Sequence, residues 1–338
     1  MRVALDLAPT RLAAAGVARY ARGVEAALRA RPDVEVVALG GGPAPGRGTR
    51  GHQALVLRQD LAWYPAGLRR AARRAGADVL HLVTLRGPLR PGTPPTVLTV
   101  HDLAPLHHPE TLARWNRTYT RATLRRLLAS AAVLVADAAD GADDLARLAP
   151  RAPIRVVHPG VDERFLGPAS GPPPVEGPYV LFVGTPEPRK NLPRLVEAMR
   201  GRRERLVLAG AEGWGPELEA APGVVRLGRV DDDALHRLYA GAACLAIPSL
   251  HEGFGYPALE AMASGCPVVA ASRGALPEVT GGAAVLVDPL DAEAIAAGIQ
   301  DAVARADELR ALGRTRAGEL TWERTAEGLL AAYAEAAG

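Results

Sequence analysis

Forty of the 338 residues are Lys or Arg, and all but Lys190 are arginine. That lysine stands in GTPEPRKN (184–191), directly after the apolar run YVLFVG (179–184). A compact ammonium on a flexible stem meets phosphate oxygens as a point charge, whereas a guanidinium donates along the fixed lines of a planar fork. A second concentration of chemistry is SLHEGFGYPALEAMASGCPVV (249–269). Here Glu252 is followed by Gly253-Phe254-Gly255, then by a helix that Pro257 can open and Gly265 can close, with Glu260 expected on its first turn. Glycines let a ligand approach the backbone, and a helix N-terminus offers unpaired N–H groups to an anion. An anion-binding loop thus carries a carboxylate on each side, one able to reach hydroxyls at the reacting end of a ligand, the other the hydroxyls of a ribose. The same residues also have a plainer reading, in which Glu252 caps a loop and Glu260 is a first-turn acid favoured by the helix dipole.

Both stretches follow strand-like runs, and the alternation of such runs with amphipathic segments predicts parallel sheets covered by helices. Residues 2–8, 78–83, 96–102, 132–137 and 154–160 read as strands of a first domain, 1–165. The Pro-, Gly- and Ser-rich stretch 166–178 reads as a linker. The rhythm resumes at 179–184, 205–210, 224–228, 244–249, 267–272 and 284–288 within a second domain, 179–320, and residues 321–338 form a last helix. The expected fold class is α/β, two Rossmann-like domains with parallel sheets facing across a cleft. Ligands of such sheets sit outside the carboxyl ends of the strands. The acidic run 231–233 has a D-x-D spelling but precedes ALHRLYAGA, and it reads as a helix cap, with no metal site expected.

Composition narrows the remaining choices. Hydrophobic residues make up 48% of the chain and aromatics 4%, with an Arg, Ala, Gly and Pro bias of the kind a GC-rich genome imposes. The N-terminus lacks the regions of a signal peptide, and no apolar run reaches the length of a membrane span. Cys244 and Cys266 have no metal-like spacing and read as core residues of a reducing compartment. The expected location is cytoplasmic, peripheral to the inner face of the membrane. Residues 1–150 hold 21 Arg against 12 acidic residues, a net +9, whereas 151–338 hold 19 basic against 25 acidic residues, a net −6. Within ARWNRTYTRATLRR (113–126), Arg114, Arg117, Arg121 and Arg125 share one helical face beside Trp115 and Tyr119. That face reads equally as an anionic-membrane contact and as a solvated basic surface. Nucleic acid is not an expected partner.

Taken together, HEGFGYPALE (251–260), VGTPEPRKNLPRLVEAM (183–199), TVHDLAPLHHPE (99–110), HPGVDERF (158–165) and TWERTAEGLLAAYAEA (321–336) resemble retaining glycosyltransferases of the GT-B fold, family four or group 1, over nearly the whole chain. The resemblance implies an E-x7-E element made by Glu252 and Glu260, with Glu252 at the reacting sugar and Glu260 at the ribose. It places Lys190 on the donor diphosphate and assigns His101, after the strand at 96–100, to a donor-sugar hydroxyl or the diphosphate. Gly16 matches a glycine that lets the donor phosphates or the acceptor come near, and it reads equally as an ordinary helix-start glycine. Many family members carry an arginine where this chain has Thr185, so Arg189 is expected to take part of that load. The loop at 228–230, with Val230, is where the nucleotide base would rest. Glu278 matches a recurrent family position and receives no role beyond local structure. The last helix of the family crosses back to the N-terminal domain.

The reaction so implied moves a hexose with retained configuration from a nucleotide sugar to a hydroxyl of a glycan, lipid-linked or small-molecule acceptor, with no metal or other cofactor. The wording of 184–191 resembles bacterial mannosyltransferases that build surface polysaccharides, which makes GDP-mannose the leading expected donor, with UDP-sugars and dTDP-deoxysugars as competitors. Two other classes stay open, a pyridoxal-phosphate phosphorylase using its lysine as a Schiff base and a donor-binding but inactive subunit. As a loop residue, Lys190 is expected to contribute little to either core.

Overall fold

The computed structural model describes residues 1–11, 15–42, 50–103, 114–211 and 223–338. The described chain divides into two compact units, residues 1–160 with 322–338, and residues 161–321.

In the first unit, β1 (Arg2–Asp6), β2 (Glu35–Leu39), β3 (Val79–Leu82), β4 (Thr96–Val100), β5 (Val133–Ala136) and β6 (Ile154–Val156) form a parallel sheet in the order β2-β1-β3-β4-β5-β6. Strands β3, β4 and β5 are buried along their whole length, as continuous apolar runs covered on both faces must be. β2 was absent from the sequence-based strand set. It lies at the sheet edge, where its apolar run Val36–Leu39 follows an exposed Glu35 and only Val36 is fully buried. Among the helices are α1 (Ala15–Arg29), α2 (Arg50–Arg58), α3 (Leu68–Arg74), α4 (Arg114–Ser130) and α5 (Ala139–Leu148). A π-helical stretch, Gln59–Gly67, joins α2 to α3.

The second unit has β7 (Tyr179–Val183), β8 (Arg205–Ala209), β9 (Val224–Gly228), β10 (Cys244–Ile247), β11 (Val268–Ala271) and β12 (Val285–Val287), in the order β12-β11-β10-β7-β8-β9. Strand order therefore reverses between β7 and β10, and the loops leaving these neighbours diverge. That is the place where a doubly wound sheet opens a crevice for a ligand. Its helices are α6 (Leu192–Ala198), α7 (Asp232–Gly241), α8 (Tyr256–Ala263), α9 (Leu276–Thr280), α10 (Ala292–Ala304) and α11 (Ala306–Glu319). This unit starts at Val161 and so takes in the stretch expected to be a linker. Pro173 sits where a Cβ on Gly241 would come within 2.8 Å, and Val175 is buried.

The last helix, α12 (Trp322–Ala337), belongs to the first unit. A Cβ on Gly23 of α1 would come within 2.2 Å of the Trp322 ring, and one on Gly328 within 2.9 Å of Val157. Small residues thus set how closely the helix packs. Tyr333 on its buried face reaches His81 at the end of β3, 2.8 Å from Oη to Nδ1.

Candidate functional site

The loops after β7 and β10 bring Lys190, Arg189 and Glu252 together. Lys190 Nζ donates to Glu252 Oε1 at 2.5 Å, and Ser249 Oγ donates to the same oxygen at 2.7 Å. Arg189 approaches Glu252 Oε2 at 3.4 Å, while its Nε donates to Glu187 at 2.9 Å. Lys190 is 8% and Glu252 6% exposed, so both charges lie away from bulk water. Burial by itself would raise the Glu252 pKa. Lys190 and Arg189, with the hydrogen bonds from Lys190 and Ser249, outweigh it and hold the carboxyl at about 2.

Local backbone chemistry explains how a short loop holds this geometry. Gly184 leaves β7 at φ 143°, a region an L side chain rarely adopts, and a Cβ on neighbouring Gly210 would overlap the Gly184 carbonyl at 2.2 Å. The chain then makes a single 3-10 turn, Pro188–Lys190, and passes through Asn191 at φ 57°. Asn191 is the one non-glycine residue with positive φ among the described residues. Its side chain donates to the Pro248 carbonyl at 2.9 Å and the Pro289 carbonyl at 2.6 Å, which fastens the β7 turn to the chain leaving β10. Leu250 N–H donates to the Arg189 carbonyl at 2.7 Å and adds a second tie.

Glu260 corrects its expected place. Gly255, at φ 100°, is the N-cap and α8 begins at Tyr256, so Glu260 lies beyond the first turn. It is 2% exposed and accepts from Tyr239 Oη at 3.0 Å, an interior partner on α7. A Cβ on Gly255 would come within 2.7 Å of Leu276, and Phe254 is buried against Tyr256, ring centroids 5.3 Å apart. These two residues shape the entry to α8, and Gly253 precedes them half-buried. Thr185 and Val230 are likewise half-buried, in the loops that follow β7 and β9. In the acidic run, Asp231 accepts from Ala234 N–H at 2.7 Å as the N-cap of α7, and Asp232 pairs with Arg164 at 2.5 Å.

In the first unit, His101 follows β4 directly. Its Nδ1 lies 2.7 Å from Asp137 Oδ2 and its Nε2 3.1 Å from the Val83 carbonyl. Burial would lower the His101 pKa, but Asp137, through its charge and its hydrogen bond, raises it on balance, with smaller contributions from Asp102 and the Val83 carbonyl. Tyr20 packs across the ring, with centroids 4.5 Å apart, and is itself held by Thr99 at 3.0 Å. Gly16, the second residue of α1, is exposed, and a Cβ there meets no described heavy atom within 4 Å. Residues 104–110 of the stretch that follows His101 lie outside the described residues.

The Arg-rich helix is α4, and Arg117, Arg121 and Arg125 on it are exposed, while the Arg114 side chain lies outside the description. Its aromatic residues have protein partners. Trp115 Nε1 donates to buried Asp60 at 2.8 Å, and Arg86, which donates to the same carboxylate at 2.7 Å, lies 5.5 Å over the Tyr119 ring.

Asp137, Ser249, Asn191 and Glu187 were absent from the sequence-based site. Asp137 stands immediately past β5, as His101 does past β4, and Ser249 two residues past β10, so the post-strand signal that pointed to His101 and Lys190 was available for them as well. Asn191 and Glu187 flank the basic pair in PEPRKN but carry no spacing that distinguishes them.

Comparison with known proteins now assigns the chain. It is 39% identical over 173 residues to the O-antigen chain mannosyltransferase B of Escherichia coli, covering 46% of this chain and 45% of that protein. It is 35% identical over 283 residues to the D-inositol 3-phosphate glycosyltransferase of Geodermatophilus obscurus, covering 72% of this chain and 62% of that protein. The chain thus spans about half to less than two thirds of these relatives' own length. The sucrose-phosphate synthase of Thermosynechococcus elongatus superposes with a TM-score of 0.74 at 21% identity, over 99% of this chain and 98% of that one. Anabaena HepE in complex with UDP-glucose does so with a TM-score of 0.68 at 17% identity, over 99% of both chains. These structures establish the fold as GT-B. The profile of Glycosyltransferase Family 4 matches residues 14–165 and that of Glycosyl transferases group 1 matches residues 177–305, and the chain belongs to this glycosyltransferase family.

Proposed function

We propose that the protein is a retaining, metal-independent hexosyltransferase that moves mannose from GDP-mannose to an acceptor hydroxyl. The observation that carries this reading is the buried cluster of Lys190, Arg189 and Glu252 at the β7/β10 reversal. A donor diphosphate competes there with Glu252 for two cations, which then stabilise the charge that develops as the bond from the anomeric carbon to phosphate breaks. The acceptor oxygen bonds to that carbon on the face the leaving group vacates, and its proton passes to the departing phosphate. Glu252 is no nucleophile in this scheme, because the acceptor oxygen itself forms the new bond on the face the leaving group vacates and the departing phosphate takes its proton. It positions the cations and meets the sugar, Glu260 and Val230 serve the nucleoside, and the Gly253-Phe254-Gly255 backbone receives phosphate. Thr185 leaves the second phosphate contact to Arg189. His101 meets a donor-sugar hydroxyl or the diphosphate. The cap role of Asp231 supports a reaction without a D-x-D metal site.

The mannosyltransferase relatives, among them an MMP α-(1→4)-mannosyltransferase of Mycolicibacterium hassiacum, support a mannose donor. In a second reading the acceptor is an inositol phosphate, favoured by the longer match to the D-inositol 3-phosphate glycosyltransferase, 72% of this chain against 46%, and the donor a UDP-sugar, of the kind bound in the HepE structure. No described helix is long and apolar enough to cross a membrane. The exposed Arg117, Arg121 and Arg125 support a peripheral contact with anionic lipid when the acceptor is lipid-linked.

The test is a panel of nucleotide sugars, read by thermal stabilisation and by release of nucleoside diphosphate, with and without EDTA. GDP-mannose should raise the melting temperature most, because a ligand that binds only the folded state stabilises it with concentration. Stabilisation by UDP-sugars alone moves the donor to the second reading. Absence of turnover with every donor and acceptor leaves the inactive-subunit reading. The product's anomeric configuration tests retention.

A further inference from the structure

The groups around His101 differ in kind from those around His81, its neighbour at the same end of the first sheet. His101 faces a carboxylate oxygen at Nδ1, 2.7 Å away, and a backbone carbonyl at Nε2, 3.1 Å away. Both partners can only accept. A neutral imidazole keeps one ring nitrogen without a proton, and in either tautomer that lone pair would point at an oxygen lone pair. His81 instead lies between Thr99 Oγ1 at 2.9 Å and Tyr333 Oη at 2.8 Å, hydroxyls that each donate or accept and so suit a neutral ring.

We propose that Asp137 is a positioning residue that holds His101 as a doubly protonated imidazolium, so that the carboxyl end of β4 presents a standing positive charge and not a general base. The carboxylate is suited to the task. Its side chain is 1% exposed, and Oδ1 has no hydrogen-bond partner, so no other described donor draws on its charge. The imidazole keeps 19% of its surface exposed, enough to meet a ligand. The described titratable groups that act on it do so in known directions. Asp137 from the end of β5 and Asp102 from its own strand end raise its pKa, and burial lowers it. His81 from β3 is pushed down to about 3, first by burial and then by the His101 charge, so it adds no competing cation. Tyr20 from α1 is pushed far above its ordinary range by burial and by Asp137 and stays neutral.

The catalytic consequence rests on the transferase reading: a fixed cation favours the diphosphate and the oxygen of the breaking bond, and it cannot take the acceptor's proton. The protonation state itself does not rest on that reading. Its test is the 15N spectrum of the histidine ring nitrogens across neutral and mildly alkaline pH, with His101→Gln assigning the signal among the eight histidines. Both His101 nitrogens should carry protons at neutral pH in the wild-type protein. The isosteric Asp137→Asn should leave a neutral ring there and move the alkaline limb of the rate profile to lower pH. It should lower kcat roughly ten- to a hundredfold, the scale of a lost charged hydrogen bond, with KM for the donor nearly unchanged. A wild-type His101 that titrates at or below an ordinary histidine, or a titration unmoved by Asp137→Asn, overturns the proposal without any reference to activity. A doubly protonated His101 in a protein with no turnover upholds the pair and sinks the transferase reading.

Discussion

The two units answer the same electrostatic problem with opposite assignments of the titratable partner. Each sets a cation against a buried carboxylate just past the ends of parallel strands, Lys190 with Glu252 in one and His101 with Asp137 in the other. In the second unit Lys190 and Arg189 outweigh burial and hold the Glu252 carboxyl down at about 2. In the first unit it is the carboxylate that acts on its partner, raising the histidine's pKa against the effect of burial. The Lys190 pair is thus a permanent charge cluster that a diphosphate must open, and the His101 pair is one that alkali can discharge.

The largest effect should come from breaking the permanent cluster. Lys190→Ala leaves Glu252 buried with Arg189 as its one remaining basic partner, and losing one member of a buried pair costs about 3–5 kcal/mol. A folded but measurably less stable protein without turnover is expected, read as melting temperature beside transfer rate at saturating donor. This revises the expectation that the lysine adds little to its domain, because 8% exposure and a 2.5 Å bond make it structural as well. Lys190→Arg should fail in transfer too. The ammonium sits on Glu252 at 2.5 Å at a position only 8% exposed, and a planar fork directs its donors along different lines. Near-normal turnover of the arginine variant would show that charge alone suffices.

Next in size is the contrast within the E-x7-E element. Glu252→Ala removes the centre of the cluster and should abolish transfer. Glu260→Ala removes a buried acceptor from Tyr239 and should slow transfer by roughly ten- to a hundredfold. Tyr239→Phe separates structure from function at Glu260, since it deletes only the interior hydrogen bond, at a cost of about 1 kcal/mol. Donor affinity should then stay near normal. If Tyr239→Phe weakens donor binding as much as Glu260→Ala, Glu260 acts through its interior bond and the ribose assignment falls.

What was legible in the sequence follows from how strongly a residue's type constrains its place. β7, β10 and β11 could be found because strands covered on both faces carry uninterrupted apolar runs; β2 carries one as well, Val36–Leu39, but it is short, edge-placed and mostly not fully buried, and it escaped. Lys190 and Glu252 were found by type and by position after a strand. Glu260 was found by spacing, but spacing could not say that its carboxylate turns toward Tyr239. Asp137 was missed because its meaning lies in a partner 36 residues away, and AVLVAD by itself reads as an ordinary strand end.

A smaller effect separates the pairs by pH. Glu252 has its pKa depressed from 4.5 to about 2, so the stability it contributes is complete above about pH 4.5 and is lost as pH falls toward 2. His101 has its pKa raised, so its contribution is complete below about pH 6.5 and is lost as pH rises through the higher folded value. Melting temperature against pH should therefore lose its acid limb in Glu252→Gln and its alkaline limb in Asp137→Asn. Loss of the same limb in both variants would break the opposition between the units.

The smallest effect, and the most specific, is at Gly16. The position is exposed near the start of α1, and an added Cβ meets no described heavy atom within 4 Å. Alanine there should be tolerated by the fold and should raise stability by at most about 1 kcal/mol through its better helix propensity. If the glycine exists so that a ligand can reach the helix start, the same methyl should raise KM for donor or acceptor while the melting temperature rises or holds. The split between the two readouts carries the test, because a methyl that meets no described atom should not destabilise the fold, whereas a ligand at the helix start would meet it. Unchanged kinetics in a slightly stabilised Gly16→Ala protein would reduce Gly16 to an ordinary helix-start residue.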